Sequence, residues 1–163
     1  TNVKEGVFKE LLDSKFLNFN NAAKIRKAKL KIIKGSIAPN FTLKAINGEK
    51  LELNAVSKKY IVLDFWGSWC PPCIRGFPKM KQYYSKYKNK IEFIGIACND
   101  TEEKWKNAVK KNDINWIQLI NDEAPESNVA TLYGVNSYPN NEIKKSVIMF
   151  RKYNDGLNFR FEN

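Results

Sequence analysis

The sequence predicts an α/β protein with a mixed central sheet and helices on both of its faces. Strand-like and helical segments alternate along the chain. Two of the predicted strands are nearly continuous apolar runs, which is typical of strands covered on both sides. A Cys-x-x-Cys motif directly follows one of these strands and opens the next helix. In folds of this class functional sites lie at the carboxyl ends of strands, so the motif is where chemistry is expected.

Each element has its own sequence signal. Asn47-Gly48 lies between two alternating stretches and predicts a tight hairpin, and either Asp100 or Thr101 is suited to cap the helix that follows. The predicted elements are a hairpin over 41–46 and 50–53, strands over 60–65, 91–97 and 116–120, helices over 71–88, 101–111 and 127–133, and a terminal hairpin over 147–150 and 157–161.

The chain divides into a basic amino-terminal segment and one domain. Residues 1–34 are predicted to be a helical extension or linker, and residues 35–163 the α/β domain. Lys and Arg exceed Asp and Glu by 11 over the whole chain and by six within residues 1–40. No nucleic-acid motif accompanies this charge, so we interpret it as a solvated face and predict no nucleic-acid partner. Peripheral membrane contact through the basic helix is the alternative to packing or linking.

The composition excludes several classes of site. The chain has no histidine, which removes Cys-His and Ser-His catalysis and imidazole metal ligands. Its three cysteines, Cys70, Cys73 and Cys98, are too few for a disulfide framework or a four-ligand zinc site, and we predict no metal and no cofactor. No apolar run reaches the roughly 20 residues of a membrane span. The sequence opens on Thr1, and we interpret it as a mature or trimmed chain, so the lack of a leader does not argue against export.

The Cys-x-x-Cys motif has what thiol–disulfide exchange requires, namely one thiolate that attacks and a second thiol that resolves the mixed disulfide. The two intervening residues bring the α-carbons within the roughly 4.4–6.8 Å that a disulfide needs. The positive helix N-terminus favours the thiolate of Cys70, which we expect to be the more exposed cysteine. Pro71 and Pro72 destabilise the helix little, because the N–H groups of a first helical turn have no partner within the helix. Trp69 offers a flat apolar surface to a partner chain. A purely structural disulfide is the alternative interpretation.

Residues 65–73 (FWGSWCPPC) resemble the active-site stretch of thioredoxin-fold proteins. Residues 35–43 and 133–139 are similar to the entry and cis-proline segments of the TlpA/ResA-like branch, bacterial envelope proteins related to the AhpC/TSA peroxiredoxins. The resemblance covers about residues 35–139. It implies a thioredoxin-like three-layer α/β/α fold and a thiol–disulfide oxidoreductase in the periplasm or cell envelope. Such an enzyme would exchange disulfides with protein partners, more as a reductant than as an oxidant, and would need an upstream electron donor.

The resemblance also implies roles for individual residues. Cys70 would be the nucleophile and Cys73 the resolving thiol. Asp64 falls where thioredoxin has a buried acid, whose raised pKa would let it take the proton from Cys73. The alternative for Asp64 is a strand-end carboxylate bonded to the backbone. The residues implied in substrate binding are Trp69, Pro71, Pro72, Tyr138 and Pro139, with Pro139 in cis and the backbone of Tyr138 paired with the partner.

The sequence departs from the family pattern in two places. Many members have a glutamate three residues after the second cysteine, a residue linked to tuning of the cysteines, but this chain has Gly76 there. The proton-accepting role therefore depends more on Asp64. Residues 140–146 separate the cis-proline segment from the next strand.

Two other functions compete with disulfide exchange. A peroxiredoxin-like thiol peroxidase would need Thr or Ser three residues before its cysteine, where Cys70 stands. A non-catalytic module that binds a partner or a membrane is the third hypothesis. We interpret Cys98 as a small buried residue rather than a third redox thiol.

Overall fold

The computed structural model describes residues 20–28, 30, 38–121, 128–135, 138 and 147–151 of the 163-residue chain. The strands are β1 (Thr42–Ala45), β2 (Lys50–Glu52), β3 (Tyr60–Trp66), β4 (Ile91–Cys98), β5 (Ile117–Asn121) and β6 (Val147–Arg151). The helices are α1 (Pro71–Tyr87), α2 (Glu102–Lys111) and α3 (Val129–Leu132), and a 3₁₀ turn spans Leu53–Ala55.

The strands form one mixed sheet in the order β2-β1-β5-β4-β3-β6. Neighbours β3, β4 and β5 are parallel, whereas β1, β2 and β6 pair antiparallel. The predicted mixed sheet and the predicted hairpin at Asn47-Gly48 are therefore confirmed, and Gly48 supplies the positive φ of +90° that this turn needs. The second strand of the terminal hairpin, over 157–161, lies outside the described residues.

The amino-terminal segment is described only in part. Residues 20–28 are helical, as predicted for this segment, while the boundary proposed near residue 35 lies outside the described residues. In the part of the chain that the structure describes, we find no helix with the length and apolarity needed to cross a membrane.

Side chains on the two faces of β3 enter two different cores. Val62 and Trp66 point into the core beneath α1 and α2, whereas Leu63 and Phe65 enter the core on the opposite face. We call the first the front core and the second the back core. The buried members of the front core are Val62, Trp66, Phe77, Ile91, Phe93, Ala97, Trp105, Ala108, Val109, Ile114, Trp116 and Ile120. The buried members of the back core are Phe41, Leu43, Leu53, Val56, Ile61, Leu63, Phe65, Ile94, Ile96, Cys98, Leu119, Val129, Ala130, Tyr133 and Val135.

Aromatic packing in the front core fixes α1 against the sheet. Phe77 is the buried residue of α1 and lies edge-on to Trp66, with ring centroids 5.1 Å apart. Tyr84, two turns further along the helix, packs in the same way on Phe93 at 5.6 Å. Such pairs add about 0.5–1.5 kcal/mol each beyond their area burial. Since Phe77 lies less than two turns from the start of α1, this contact fixes the position of the Cys-x-x-Cys motif on the sheet.

Candidate active site

The Cys-x-x-Cys motif lies where β3 ends and α1 begins, at the carboxyl end of a central strand. Cys70 is the N-cap of α1, and Pro71 and Pro72 are its first two residues. Cys70 and Cys73 form a disulfide with α-carbons 5.4 Å apart, within the range expected for this spacing. The backbone N–H of Cys73 donates to Cys70 Sγ at 3.3 Å. Because this sulfur lies at the positive end of the helix, a thiolate is stabilised there when the dithiol is reduced.

The expectation that Cys70 is the more exposed cysteine is wrong for this disulfide form. Cys70 is 2% exposed, whereas Cys73 is half-buried. The N-cap geometry turns the sulfur of Cys70 back over the first turn of the helix, where it accepts the N–H of Cys73. Pro71 and Pro72 are exposed. The accessible part of the motif is therefore the proline pair together with Cys73.

An acid at the end of β4 fixes the loop that precedes the dithiol. Asp100 accepts the backbone N–H of Ser68 at 2.6 Å and its hydroxyl at 2.8 Å. In the next residue, the indole N–H of Trp69 donates to the carbonyl oxygen of Cys98 at 3.0 Å. These three hydrogen bonds hold the loop to the neighbouring strand end and so position the dithiol that it carries.

Trp69 and Tyr138 form an aromatic surface beside this loop. Trp69 is 47% exposed, and its ring lies edge-on to that of Tyr138 with centroids 5.5 Å apart. The indole lies over Gly67, where a Cβ would come within 2.5 Å of Nε1. Glycine is therefore required at this position for Trp69 to keep its orientation. The structure brings together two of the residues implied in substrate binding, whereas Pro139 and its expected cis bond lie outside the described residues.

Asp64 faces α1 from the middle of β3. It alternates in phase with Val62 and Trp66, whose side chains enter the front core against which Cys73 packs. Among the described residues no donor is hydrogen-bonded to its carboxylate, so the alternative of a carboxylate bonded to the backbone is not realised there. The residue keeps some exposed surface, but burial of the carboxyl group raises the pKa of Asp64 to about 7. Near neutral pH it can therefore both accept and return a proton.

Cys98 lies on the other face of the sheet from Cys73. It is fully buried in the back core, and its thiol contacts the side chains of Asn121 and Tyr138. Burial raises the pKa of Cys98 to about 11, which leaves almost no thiolate at neutral pH. This environment agrees with the interpretation of Cys98 as a small buried residue.

Gly76 is exposed on α1, and a Cβ built there meets no atom within 4 Å. The place of the family's glutamate is thus open surface, and the structure itself does not require glycine there. Within the described ranges, no three His, Cys, Asp or Glu side chains are grouped so that they could hold a metal ion.

Sequence reasoning missed two residues that shape the site. Asp100 was considered only as a helix cap, but Thr101 has that role, because its hydroxyl accepts the N–H of Lys104 at 3.3 Å. Gln118 lies in the strand predicted over 116–120 and had no predicted role, although it is 2% exposed and accepts the indole N–H of Trp66 at 3.1 Å. The available signal was a single amide side chain within an otherwise apolar run.

Comparisons with known proteins agree with this architecture. A sequence profile of the AhpC/TSA family matches residues 34–154. A thiol-disulfide oxidoreductase ResA from Bacillus cereus is 41% identical over 87 residues, which cover 53% of this chain and 50% of that protein. The chain spans only 50 to 60% of the length of such curated relatives.

Two solved structures are similar over most of the chain. The thioredoxin domain of a thiol-disulfide oxidoreductase from Bacteroides vulgatus matches with a TM-score of 0.65 at 24% identity, covering 76% of this chain and 84% of that one, which shows the fold. A thiol-disulfide oxidoreductase from Bacteroides fragilis matches with a TM-score of 0.64 at 26% identity, covering 78% and 92%. The thioredoxin-like fold implied by the sequence is confirmed. Since the profile match extends over most of its length, the chain belongs to the AhpC/TSA family and is similar to its ResA-like members.

Proposed function

We propose that this protein is a thiol–disulfide oxidoreductase that exchanges disulfides with protein partners and acts mainly as a reductant. The observation that carries the proposal is the Cys70–Cys73 pair at the start of α1, with Cys70 Sγ on the N–H of Cys73. A disulfide that only stabilised the fold would not need a sulfur at the positive end of a helix. The ResA name of the Bacillus cereus relative supports the same reaction class.

The reaction consists of two displacements. In the reduced protein the Cys70 thiolate attacks one sulfur of the partner's disulfide, and the partner's other sulfur leaves as a thiolate. The product is a mixed disulfide between Cys70 and the partner. Cys73 then loses its proton and attacks Cys70 Sγ, which forms the Cys70–Cys73 disulfide and releases the second partner thiol. Two electrons pass from the dithiol to the partner.

Asp64 is the proposed base of the second displacement. A carboxylate that faces α1 and has a pKa of about 7 can take the proton from Cys73 as the thiolate forms. The proton later returns to solvent, so the carboxylate is regenerated in each cycle. Gly76 places no second carboxylate on the first turns of α1, and the role therefore falls to Asp64.

The exposed aromatic surface and the proline pair are the proposed partner site. Trp69 and Tyr138 would contact apolar side chains on one side of the partner's disulfide, and Pro71 and Pro72 would lie beneath it. Pro139 completes this site in the proposal. Because each turnover leaves the protein oxidised, an upstream thiol donor must reduce the Cys70–Cys73 bond. The proposed setting is the periplasm or cell envelope, which is supported by the resemblance of residues 35–43 and 133–139 to the TlpA/ResA-like envelope proteins.

The test uses the purified protein with insulin as a disulfide substrate. We expect the Cys73→Ser variant to accumulate a mixed disulfide through Cys70, visible as a mass increase that a reductant removes. We expect Cys70→Ser to form no such adduct and to lose turnover. Ordinary turnover by Cys70→Ser would overturn the proposal. The reduction potential of the pair decides the direction, since about −270 mV is typical of a reductant and about −120 mV of an oxidant.

A further inference from the structure

A row of polar positions crosses the front face of the sheet beside the proposed base. Asp64 of β3 lies opposite Gly95 of β4, and Gly95 lies opposite Gln118 of β5. Paired residues in neighbouring strands point to the same face, so Asp64, Gly95 and Gln118 line up beneath α1. The middle position has no side chain, which leaves space between the carboxylate and the amide.

The amide of Gln118 fills part of that space. A Cβ at Gly95 would lie 2.4 Å from Gln118 Nε2 and 2.5 Å from Gln118 Oε1, so the amide group lies directly over the glycine. Neighbouring strands are about 4.8 Å apart. The amide of Gln118 therefore lies over β4, about one strand spacing from the backbone of β3 at Asp64.

The orientation of this amide follows from its contact with Trp66. The indole N–H of Trp66 can only donate, so the atom that receives it at 3.1 Å must be the carbonyl oxygen of Gln118. Nε2 then carries two N–H donors. It is fully buried and has no acceptor among the described residues, an arrangement that is rare in folded proteins.

We propose that Gln118 is a positioning residue for Asp64: the amide N–H of Gln118 stabilises the ionised carboxylate across Gly95 through one bridging water molecule. The inference rests on the proposed role of Asp64 in resolving the mixed disulfide. Hydrogen bonding to the charged form of an acid favours ionisation. Gln118 would therefore offset part of the desolvation of Asp64 and keep a useful fraction of the carboxylate ionised at neutral pH.

One other fully buried donor among the described residues lacks an acceptor, the indole N–H of Trp105 in the same core. Among the apolar and aromatic side chains packed against the front core, the titratable ones are those of Cys73, Tyr60, Tyr83, Tyr84 and Tyr87. None of these is cationic at neutral pH, and Cys98 lies across the sheet in the back core. Burial alone accounts for the raised pKa of Asp64, and no cation among the described residues lowers it.

The test follows the second displacement directly. Reduced protein is mixed with dithiobis(nitrobenzoic acid), whose coloured thiolate is released once when Cys70 attacks and again when Cys73 resolves the adduct. We expect Gln118→Met, which keeps the length but removes the donors, to shift the pH midpoint of the second phase upward by about one unit. At about pH 6 the second phase should be three- to ten-fold slower, with the first phase unchanged.

Two comparisons separate this role from general loss of packing. Trp105→Phe changes the packing of the same core from α2 and also removes the other buried donor that lacks an acceptor, and we expect it to leave the pH midpoint in place. In an Asp64→Asn background, Gln118→Met should have no further effect on the pH profile. The inference is overturned if Gln118→Met leaves the midpoint in place, or if Trp105→Phe shifts it equally. Failure of the proposed function would appear differently, as the absence of a second release in the wild-type protein.

Discussion

The two faces of the sheet bury polar side chains in different ways. On the back face Asn121 accepts the N–H of Val129 at 3.0 Å, and the hydroxyl of Tyr133 donates to the carbonyl oxygen of Pro39 at 2.6 Å. The first bond joins the start of α3 to the end of β5, and the second joins the end of α3 to the segment that precedes β1. On the front face Asp64 has no donor on its carboxylate among the described residues, and neither Gln118 Nε2 nor Trp105 Nε1 has an acceptor. Incompletely bonded buried groups cost stability, so we infer that the front face retains them for chemistry.

The largest expected effect comes from removing the front-face carboxylate. Asp64→Asn keeps the shape of the side chain but cannot take the proton from Cys73. We expect the second displacement to slow by about 10²-fold at neutral pH, while the attack by Cys70 changes little. Stopped-flow release of a coloured thiolate resolves the two phases. A second phase as fast as in the wild-type protein would remove Asp64 from the mechanism.

The same substitution should change the pH dependence of stability. The pKa of Asp64 is about 7 in the folded protein and returns to about 4 on unfolding. Between these values the folded state binds the extra proton, so wild-type stability falls as the pH rises. We expect Asp64→Asn to match the wild type near pH 4 and to exceed it by about 2–4 kcal/mol near pH 8. Denaturant unfolding at both pH values measures this, and equal differences at the two would contradict it.

Two glycine substitutions test how much the row of Asp64, Gly95 and Gln118 depends on the close approach of the Gln118 amide to Gly95. Gly95→Ala places a methyl group against the Gln118 amide and should cost about 1–3 kcal/mol while disturbing the Trp66 bond. Gly76→Ala is the matched control, because its Cβ meets no neighbour and alanine favours the helix by about 0.5–1 kcal/mol. The midpoint of thermal unfolding should therefore fall in Gly95→Ala and rise in Gly76→Ala. A neutral Gly95→Ala would mean that the amide of Gln118 can move aside freely.

The order and type of the helices and strands could be predicted from local periodicity. The contacts between residues of different strands and loops could not. Helix α1 and strand β3 were predictable because each signal lies within one short stretch. Ser68 and Asp100 are 32 residues apart, and Trp66 and Gln118 are 52 apart. Their meeting depends on strand register, which no single segment encodes. The expectation that Cys70 is exposed rested on its place at the start of α1, whereas in the disulfide form its sulfur accepts the N–H of Cys73 and is buried.

A substitution on the back face of the sheet should lower stability without changing the rate of disulfide exchange. Asn121→Ala removes the acceptor of a buried N–H at the start of α3 and should cost about 1–2 kcal/mol. Its pH profile for the second displacement should match that of the wild type, because Asn121 lies across the sheet from Asp64. Denaturant unfolding measures the loss of stability, and the two-phase release assay measures the pH profile of the second displacement. A shifted pH midpoint would show that the faces are coupled.

The smallest effect is expected for the back-face cysteine. Cys98→Ala removes a buried thiol, a change that should cost about 1 kcal/mol or less because the cavity is small. The carbonyl oxygen that holds Trp69 belongs to the backbone and is retained in this variant. With a pKa of about 11, the Cys98 thiol should also react with iodoacetamide far more slowly in the folded protein than in urea. Both phases of the release assay should be unchanged in Cys98→Ala. A slower phase would show that a sulfur on the back face takes part in the exchange. The inference that only the front face carries the chemistry would then be wrong.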